Sequence, residues 1–257
     1  MSSVLITGAS GGIGYELAKL FARDHHSLIL VARSADKLAQ VAGELETHGV
    51  TVKTIPLDLA SPPAPKFLFD QLQREATAVD ILINNAGFGA FGDFVRMREE
   101  ELLGQIELNI TALTVLTRLF LPPMIARRSG RIMNVASVAG FQAGPLMAVY
   151  YATKAYVISF SEAIANEVRN SGVTVTCFCP GATHTGFAQR AGIQESRIFK
   201  LGAMSAEKVA LHGYRAVMEG RGLAISGLHN RALVQSERFA PRRLTTAISR
   251  WIAEKVE

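Results

Sequence analysis

Residues 3–23 read SVLITGASGGIGYELAKLFAR. A short apolar run ends in Gly8, Gly12 and Gly14, and apolar residues at helical spacing follow. The pattern predicts a strand that turns sharply into a helix. Glycines at such a turn let the backbone approach a pyrophosphate, and the helix start offers free N–H groups with the positive end of its dipole. An anion belongs there. The glycine spacing departs from GxGxxG, and the GK[ST] of a P-loop is missing.

Outward from this stretch, short β-branched runs alternate with longer amphipathic ones. Strands are predicted near 3–7, 27–32, 51–56, 79–83, 131–136, 173–179 and 222–226, and helices at about 12–23, 35–47, 65–75, 99–120, 149–170 and 205–219. Seven strands joined by helix-sized segments imply right-handed crossovers and a parallel sheet covered on both faces. The expected fold is α/β, a doubly wound parallel β-sheet in one domain over residues 1–257. SPPAP at 61–65 reads as a turn leading into a helix, and no repeat is visible.

The chain has 257 residues, 49% of them hydrophobic, enough for one well-buried core. No run approaches eighteen consecutive apolar residues, and glycines follow the first apolar run at once, so a cytoplasmic protein without a signal peptide is expected. Cys177 and Cys179 lie two apart in the strand-like VTVTCFCP, which suits a buried free pair better than a disulfide or a zinc site. The formal charge of +5 gathers in the tail, where residues 221–257 hold seven Arg or Lys against three Glu. Without interleaved aromatics or a recognisable module, the tail does not suggest nucleic acid. Leu244, Ile248, Trp251, Ile252 and Val256 stand at helical spacing in 241–257, an amphipathic helix expected to dock on its own domain or a sister subunit rather than on a membrane.

VYYATKAY at 149–156 poses a choice between two tyrosines. Residues four apart on a helix share a face, so Tyr150 pairs with Lys154 while Tyr151 points elsewhere. A phenol beside an ammonium suits acid–base work, because it can give a proton to an oxygen that gains negative charge and take one back in reverse. Lowering a phenol pKa from 10 to 7 needs roughly 4 kcal/mol. An ammonium at about 4 Å can supply that order at an effective dielectric near 20.

TGASGGIG at 7–14, LDL at 57–59, NNAG at 84–87, Asn109 in ELNITA, Ser137 in NVASVAG, YYATK at 150–154 and PGATHT at 180–185 occur in the order of the short-chain dehydrogenase/reductase family. The chain resembles the compact branch of that family over essentially its whole length. The resemblance implies a catalytic set of Asn109, Ser137, Tyr150 and Lys154, with Asn109 in a proton relay through water and Lys154 also on the nicotinamide ribose. It implies cofactor contacts by Gly8, Ser10, Gly12, Ile13 and Gly14, by Asp58 and Leu59, and by Asn85, Ala86 and Gly87. In PGATHT the implied contacts are Pro180, Gly181, Thr183 and Thr185, although Thr183 replaces a usual aliphatic residue. It also implies a homodimer or homotetramer.

After strand two the chain reads LILVARSADK, with Ala32 where NAD binders place an acid and Arg33 next. A guanidinium suits a 2′-phosphate and no carboxylate opposes it, so NADP(H) is the expected cofactor. FGAFGDF at 88–94, GFQAGPLMAV at 140–149 and a variable loop at 186–205 should hold an apolar ketone, aldehyde or alcohol. Hydride and proton are both accounted for, so no metal is called for. Two rival readings are a non-catalytic NADP(H) sensor and a membrane-peripheral protein on the same fold.

Overall fold

The computed structural model describes residues 2–197, 202–237 and 239–254. The chain runs β1 (Ser3–Thr7), α1 (Gly12–Arg23), β2 (Ser27–Ala32), α2 (Ala35–Glu46), β3 (Val52–Pro56), α3 (Ala64–Arg74), β4 (Ile81–Asn84), α4 (Glu99–Ile106), α5 (Leu113–Ala126), β5 (Gly130–Val135), α6 (Ala148–Glu167) and β6 (Val173–Cys179). It continues through β7 (Thr183–His184), α7 (Gly186–Ala191), β8 (Met204–Ser205), α8 (Ala206–Met218), β9 (Leu223–Ile225), α9 (Leu228–Glu237) and α10 (Arg242–Ala253).

Seven strands form one parallel sheet in the order β3-β2-β1-β4-β5-β6-β9. Successive side chains of a strand leave on opposite faces. Val4 and Ile6 accordingly join Leu17, Phe21, Leu28, Leu30 and Phe178 in one core layer, while Leu5 joins Ile29, Val31, Leu68, Leu72 and Phe120 in the other. Each such side chain, taken fully out of water, contributes about 1.5–3 kcal/mol. Burial on both sides is why these strands read as unbroken apolar runs rather than alternating ones. The order reverses between β1 and β4, and at that switch the loops diverge to leave a crevice at the strands' carboxyl ends.

The helix expected over 99–120 is interrupted. A π-helical turn, Glu107–Ala112, separates α4 from α5, and α5 continues to Ala126 through Pro122 and Pro123. The segment 99–126 is long and apolar enough to span a membrane by length and composition alone. Here it packs on the sheet, with Leu113, Leu116, Phe120 and Met124 buried.

The C-terminal helix forms over 242–253, but its docked face is not the expected apolar stripe. Ser249 and Ala253 are buried, whereas Leu244, Ile248 and Trp251 are about half exposed. The Arg197 guanidinium lies 4.8 Å from the Trp251 ring centre and donates to the Trp251 carbonyl at 2.7 Å, fixing the helix from that side. Val256 lies outside the described residues. Cys177 and Cys179 are buried and free, with their sulfurs 3.8 Å apart.

Candidate active site

The glycine turn is built by contact between two strand ends. Thr7 Oγ1 accepts from the backbone N–H groups of Asn85 (3.0 Å) and Ala86 (2.9 Å), and Asn85 Nδ2 donates to the carbonyls of Thr7 (2.9 Å) and Gly8 (3.3 Å). The Asn85 side chain is thus committed to the loop itself. Gly8 has φ +67°, and a Cβ there would lie 2.9 Å from Ala86 Cα; a Cβ on Gly14 would lie 2.4 Å from the Gly8 carbonyl oxygen. No larger residue fits either place without moving backbone. Helix α1 then starts with Gly11 as an N-cap that offers no side-chain acceptor, and its first turn carries no acid. Its leading N–H groups are left for an external anion.

This turn opens on a cleft of about 640 Å³. Ser10, Gly12 and Ile13 line it beside the turn, Arg33, Asp58 and Leu59 at the β2–β3 side, and Ala86 and Gly87 after β4. Pro180, Gly181, Thr183 and Thr185 close the far side. An uncapped helix start at one end of such a cleft and an exposed guanidinium on its wall are the features that a phosphorylated dinucleotide requires. Thr183 Oγ1 donates to the Gly181 carbonyl at 2.9 Å, and Thr185 caps α7 by accepting from the Phe187 N–H at 3.2 Å.

Ser137, Tyr150 and Lys154 line the same cleft from the end of β5 and the first turns of α6. Ser137 Oγ accepts from the Ala139 N–H (3.1 Å), lies 3.4 Å from the Pro180 carbonyl, and is hydrogen-bonded to Tyr150. Burial pushes the Tyr150 phenol above its ordinary value, and the Ser137 hydrogen bond acts against that rise. Lys154 is buried and donates to the Val135 carbonyl at 2.8 Å. Desolvation brings its pKa down to about 8, opposed by Cys179 and Cys177. Its Nζ lies 5.8 Å from the Tyr150 ring centre.

The expected lowering of the tyrosine by the lysine is therefore not a property of the chain by itself. Burial acts on both groups, raising one and lowering the other, and their direct attraction does not overcome it. Asn109 owes its position to the π-helical turn, which swings it inward until it is 1% exposed. Its amide donates to the Phe88 carbonyl (2.9 Å) and Thr153 Oγ1 (3.1 Å) and accepts from the Phe88 N–H (3.1 Å). A Cβ on Gly87 would stand 3.0 Å from Asn109 Oδ1 and 3.5 Å from Lys154 Nζ, so that glycine keeps space between the two.

Tyr151 also borders the cleft, edge-on to the Tyr150 ring at 6.1 Å, but most of its ring is taken up by packing. It is 7% exposed, and a Cβ on Gly144 would strike its ring at 2.2 Å. It packs with Met147, Ala188, Ala191 and Ile193. The apolar side of the cleft includes Met147, Phe187 and Ile193, from two of the three expected segments; no residue of 88–94 lines it, whereas Leu233 and Ile252 from the C-terminal helices, not expected there, do. Helix α9 closes on the loop after β6 at this point: a Cβ on Gly181 would lie 2.2 Å from Asn230 Nδ2. Arg190 also reached the cleft unforeseen.

Fold and site together define a nucleotide-binding α/β protein with a tyrosine and a lysine at the floor of its cleft. Residues 2–196 match the family model described as short chain dehydrogenase. The chain belongs to that family and is an oxidoreductase of its type. Over 177 residues it is 39% identical to nodulation protein G of Rhizobium sp. (strain N33), covering 69% of this chain and 71% of the relative. A short-chain dehydrogenase from Sphingobium yanoikuyae in complex with NADPH superposes with a TM-score of 0.85 at 35% identity, covering 95% of both chains. The bulky-bulky ketone specific alcohol dehydrogenase from Comamonas testosteroni has a TM-score of 0.79 at 31% identity over 93% of both.

Proposed function

We propose that this enzyme transfers hydride between NADP(H) and a carbonyl or secondary alcohol on an apolar small molecule. The observation that carries the reading is the convergence of Tyr150, Ser137 and Lys154 on one wall of a cleft whose other end is an uncapped helix start flanked by Arg33. The NADPH bound by the Sphingobium relative supports the cofactor, and the bulky-bulky ketone specificity of the Comamonas enzyme supports the substrate class.

The nicotinamide, when bound, supplies or accepts the hydride. Tyr150 supplies the proton: burial keeps its phenol protonated at neutral pH, the form needed to donate to a carbonyl oxygen that gains negative charge. Ser137, already hydrogen-bonded to Tyr150, holds its hydroxyl where it can orient that oxygen and share its charge. Lys154 uses one of its three donors on Val135 and keeps the others for ribose hydroxyls and for recharging Tyr150 through solvent. Asn109, holding the Phe88 backbone and Thr153 beside Lys154, is set to steady the lysine end of a proton relay through water. Phe187 and Ile193, together with Leu233 of α9 and Ile252 of α10, form the substrate wall.

A homodimer or homotetramer would cover Leu103, Ile106, Ile125 and Tyr156, exposed on α4, α5 and α6. The test of the activity is NADPH oxidation against a panel of bulky aryl and alicyclic ketones. Turnover of apolar ketones that disappears in Tyr150→Phe is expected, and a preference for polyols would overturn the substrate class.

A further inference from the structure

Helix α10 docks through its small side chains and turns its large ones outward. Ser249 and Ala253 are buried against the domain, and Ile252 beside them lines the cleft. Leu244, Ile248 and Trp251 are 52%, 45% and 52% exposed. They stand at i, i+4 and i+7, one stripe of the helix, and at about 100° per residue that stripe lies roughly opposite Ser249 and Ala253. The Arg197 guanidinium takes one side of the Trp251 ring, and about half of each of the three residues stays in water. Phe239, 89% exposed, adds an aromatic ring just before the helix.

Cations border the stripe. Arg242, Arg243 and Arg250 are exposed on the same helix, and Arg243 and Arg250, seven residues apart, share one flank of it. Arg250 lies 3.4 Å from Glu254, whereas Arg242 and Arg243 form no ion pair among the described residues. The whole tail from 221 to 257 holds seven Arg or Lys against three Glu. A helix that lies in the plane of a bilayer surface presents this combination. Its apolar side chains enter among the acyl chains, a tryptophan sits at the level of the headgroups, and guanidinium groups meet lipid phosphates and carboxylates. A second copy of the helix matches the face less well, because a two-fold contact would set its arginines against their own images.

We propose that the outer face of α10 is an interaction surface for an anionic lipid bilayer, on which the enzyme lies peripherally. The proposal goes beyond the carbonyl–alcohol reading and gives it a route for substrate. Ile252 of α10 and Leu233 of α9 wall the cleft, and Arg197, four residues after the cleft-lining Ile193, is tied to α10 through the Trp251 carbonyl and Glu254. An apolar ketone concentrated in the bilayer would meet the cleft beside the helix that holds the enzyme there.

Trp251 is the chain's single tryptophan, so its fluorescence reads the contact directly. The test mixes the full chain with vesicles of phosphatidylcholine, with and without phosphatidylserine, and follows co-flotation, emission wavelength and quenching by lipids brominated on their acyl chains. Flotation with the phosphatidylserine vesicles, a blue shift and quenching are expected, all weakening as salt is added. Arg242→Gln with Arg243→Gln should weaken binding by roughly thirtyfold, about fivefold for each charge. Leu244→Gln with Ile248→Gln should abolish the quenching, with circular dichroism showing that the fold is kept. No flotation, flotation without quenching of Trp251, or binding that survives both pairs of substitutions would overturn the proposal. A dimer in sedimentation that Leu244→Gln with Ile248→Gln turns into a monomer would overturn it in favour of a second copy. None of these readouts needs turnover, so they stand or fall apart from the carbonyl–alcohol reading.

Discussion

Replacing Tyr150 with Phe isolates the proton donor, because the ring's surroundings do not depend on its oxygen. The Tyr150 ring lies 5.2 Å from Phe187 and 6.1 Å from Tyr151, and a Cβ on Gly89 would stand 3.0 Å from its Cδ2. All of these contacts survive in phenylalanine. What is lost is the hydroxyl and its hydrogen bond with Ser137. A lost neutral hydrogen bond costs stability only about 1 kcal/mol, which is about 2–4 °C in Tm for a chain of this size. Loss of a general acid costs at least about a hundredfold in turnover, or about 2.7 kcal/mol in the barrier. The two effects are therefore separable. Steady-state NADPH oxidation with a bulky ketone should fall by that factor or more, while calorimetric NADPH affinity stays within about twofold. Tyr151→Phe is the control, since Tyr151 packs against Gly144 outside the reacting group, and it should keep turnover within about threefold. A dead Tyr151 variant beside an active Tyr150 variant would refute the assignment of the whole site.

Arg33→Ala should weaken NADPH by about ten- to a hundredfold and leave NADH nearly unchanged, measured by titration of both cofactors. Gly87→Ala places a methyl 3.0 Å from Asn109 Oδ1 and 3.5 Å from Lys154 Nζ, so turnover should fall more than NADPH affinity; equal falls would mean that the glycine serves only the cofactor. Lys154 binds its proton less readily in the folded chain (about 8) than at its ordinary 10.5. Between these values the unfolded state carries more protons, so stability should rise with pH across that window. The gain is absent below about pH 8 and complete above the unfolded value. Thermal melts of the cofactor-free chain and of Lys154→Met, taken across this range, should show the rise only with the lysine; parallel curves would mean that Lys154 is not desolvated.

The strands, the glycine turn and the shared face of Tyr150 and Lys154 were legible because each rests on neighbours close in sequence. Val4 to Ile6 must be buried on both faces to read as they do, and Tyr150 and Lys154 share a helical face whatever surrounds them. Asn109 was legible as a residue but not as a geometry. A helical pattern over 99–120 gives no sign of the extra residue per turn that rotates Asn109 from a solvated face to 1% exposure, and its partners Phe88 and Thr153 lie 21 and 44 positions away. The C-terminal helix misled for a related reason. Its apolar stripe was visible, but which face docks depends on Arg197, which anchors Trp251 from 54 positions away.

The same distinction governs the electrostatics. Sequence spacing says that Lys154 can approach Tyr150, and from that alone a lowered phenol pKa follows. It does not say how much water either group loses, and desolvation decides the sign: up for the phenol, down for the ammonium. A buried pair with the phenol protonated and the ammonium still largely charged at neutral pH is a consistent resting state for an enzyme that reduces carbonyls, since the proton to be delivered is already on Tyr150. In the oxidising direction the phenol must first give up that proton, at a cost that burial increases. Alcohol oxidation should therefore rise with pH well into the alkaline range, while ketone reduction stays nearly flat from pH 6 to about 8, where Lys154 begins to lose its charge. Initial rates in both directions over that range decide the matter: an oxidation limb at neutral pH would show that bound cofactor reverses the balance, and a flat oxidation profile would remove Tyr150 as the base.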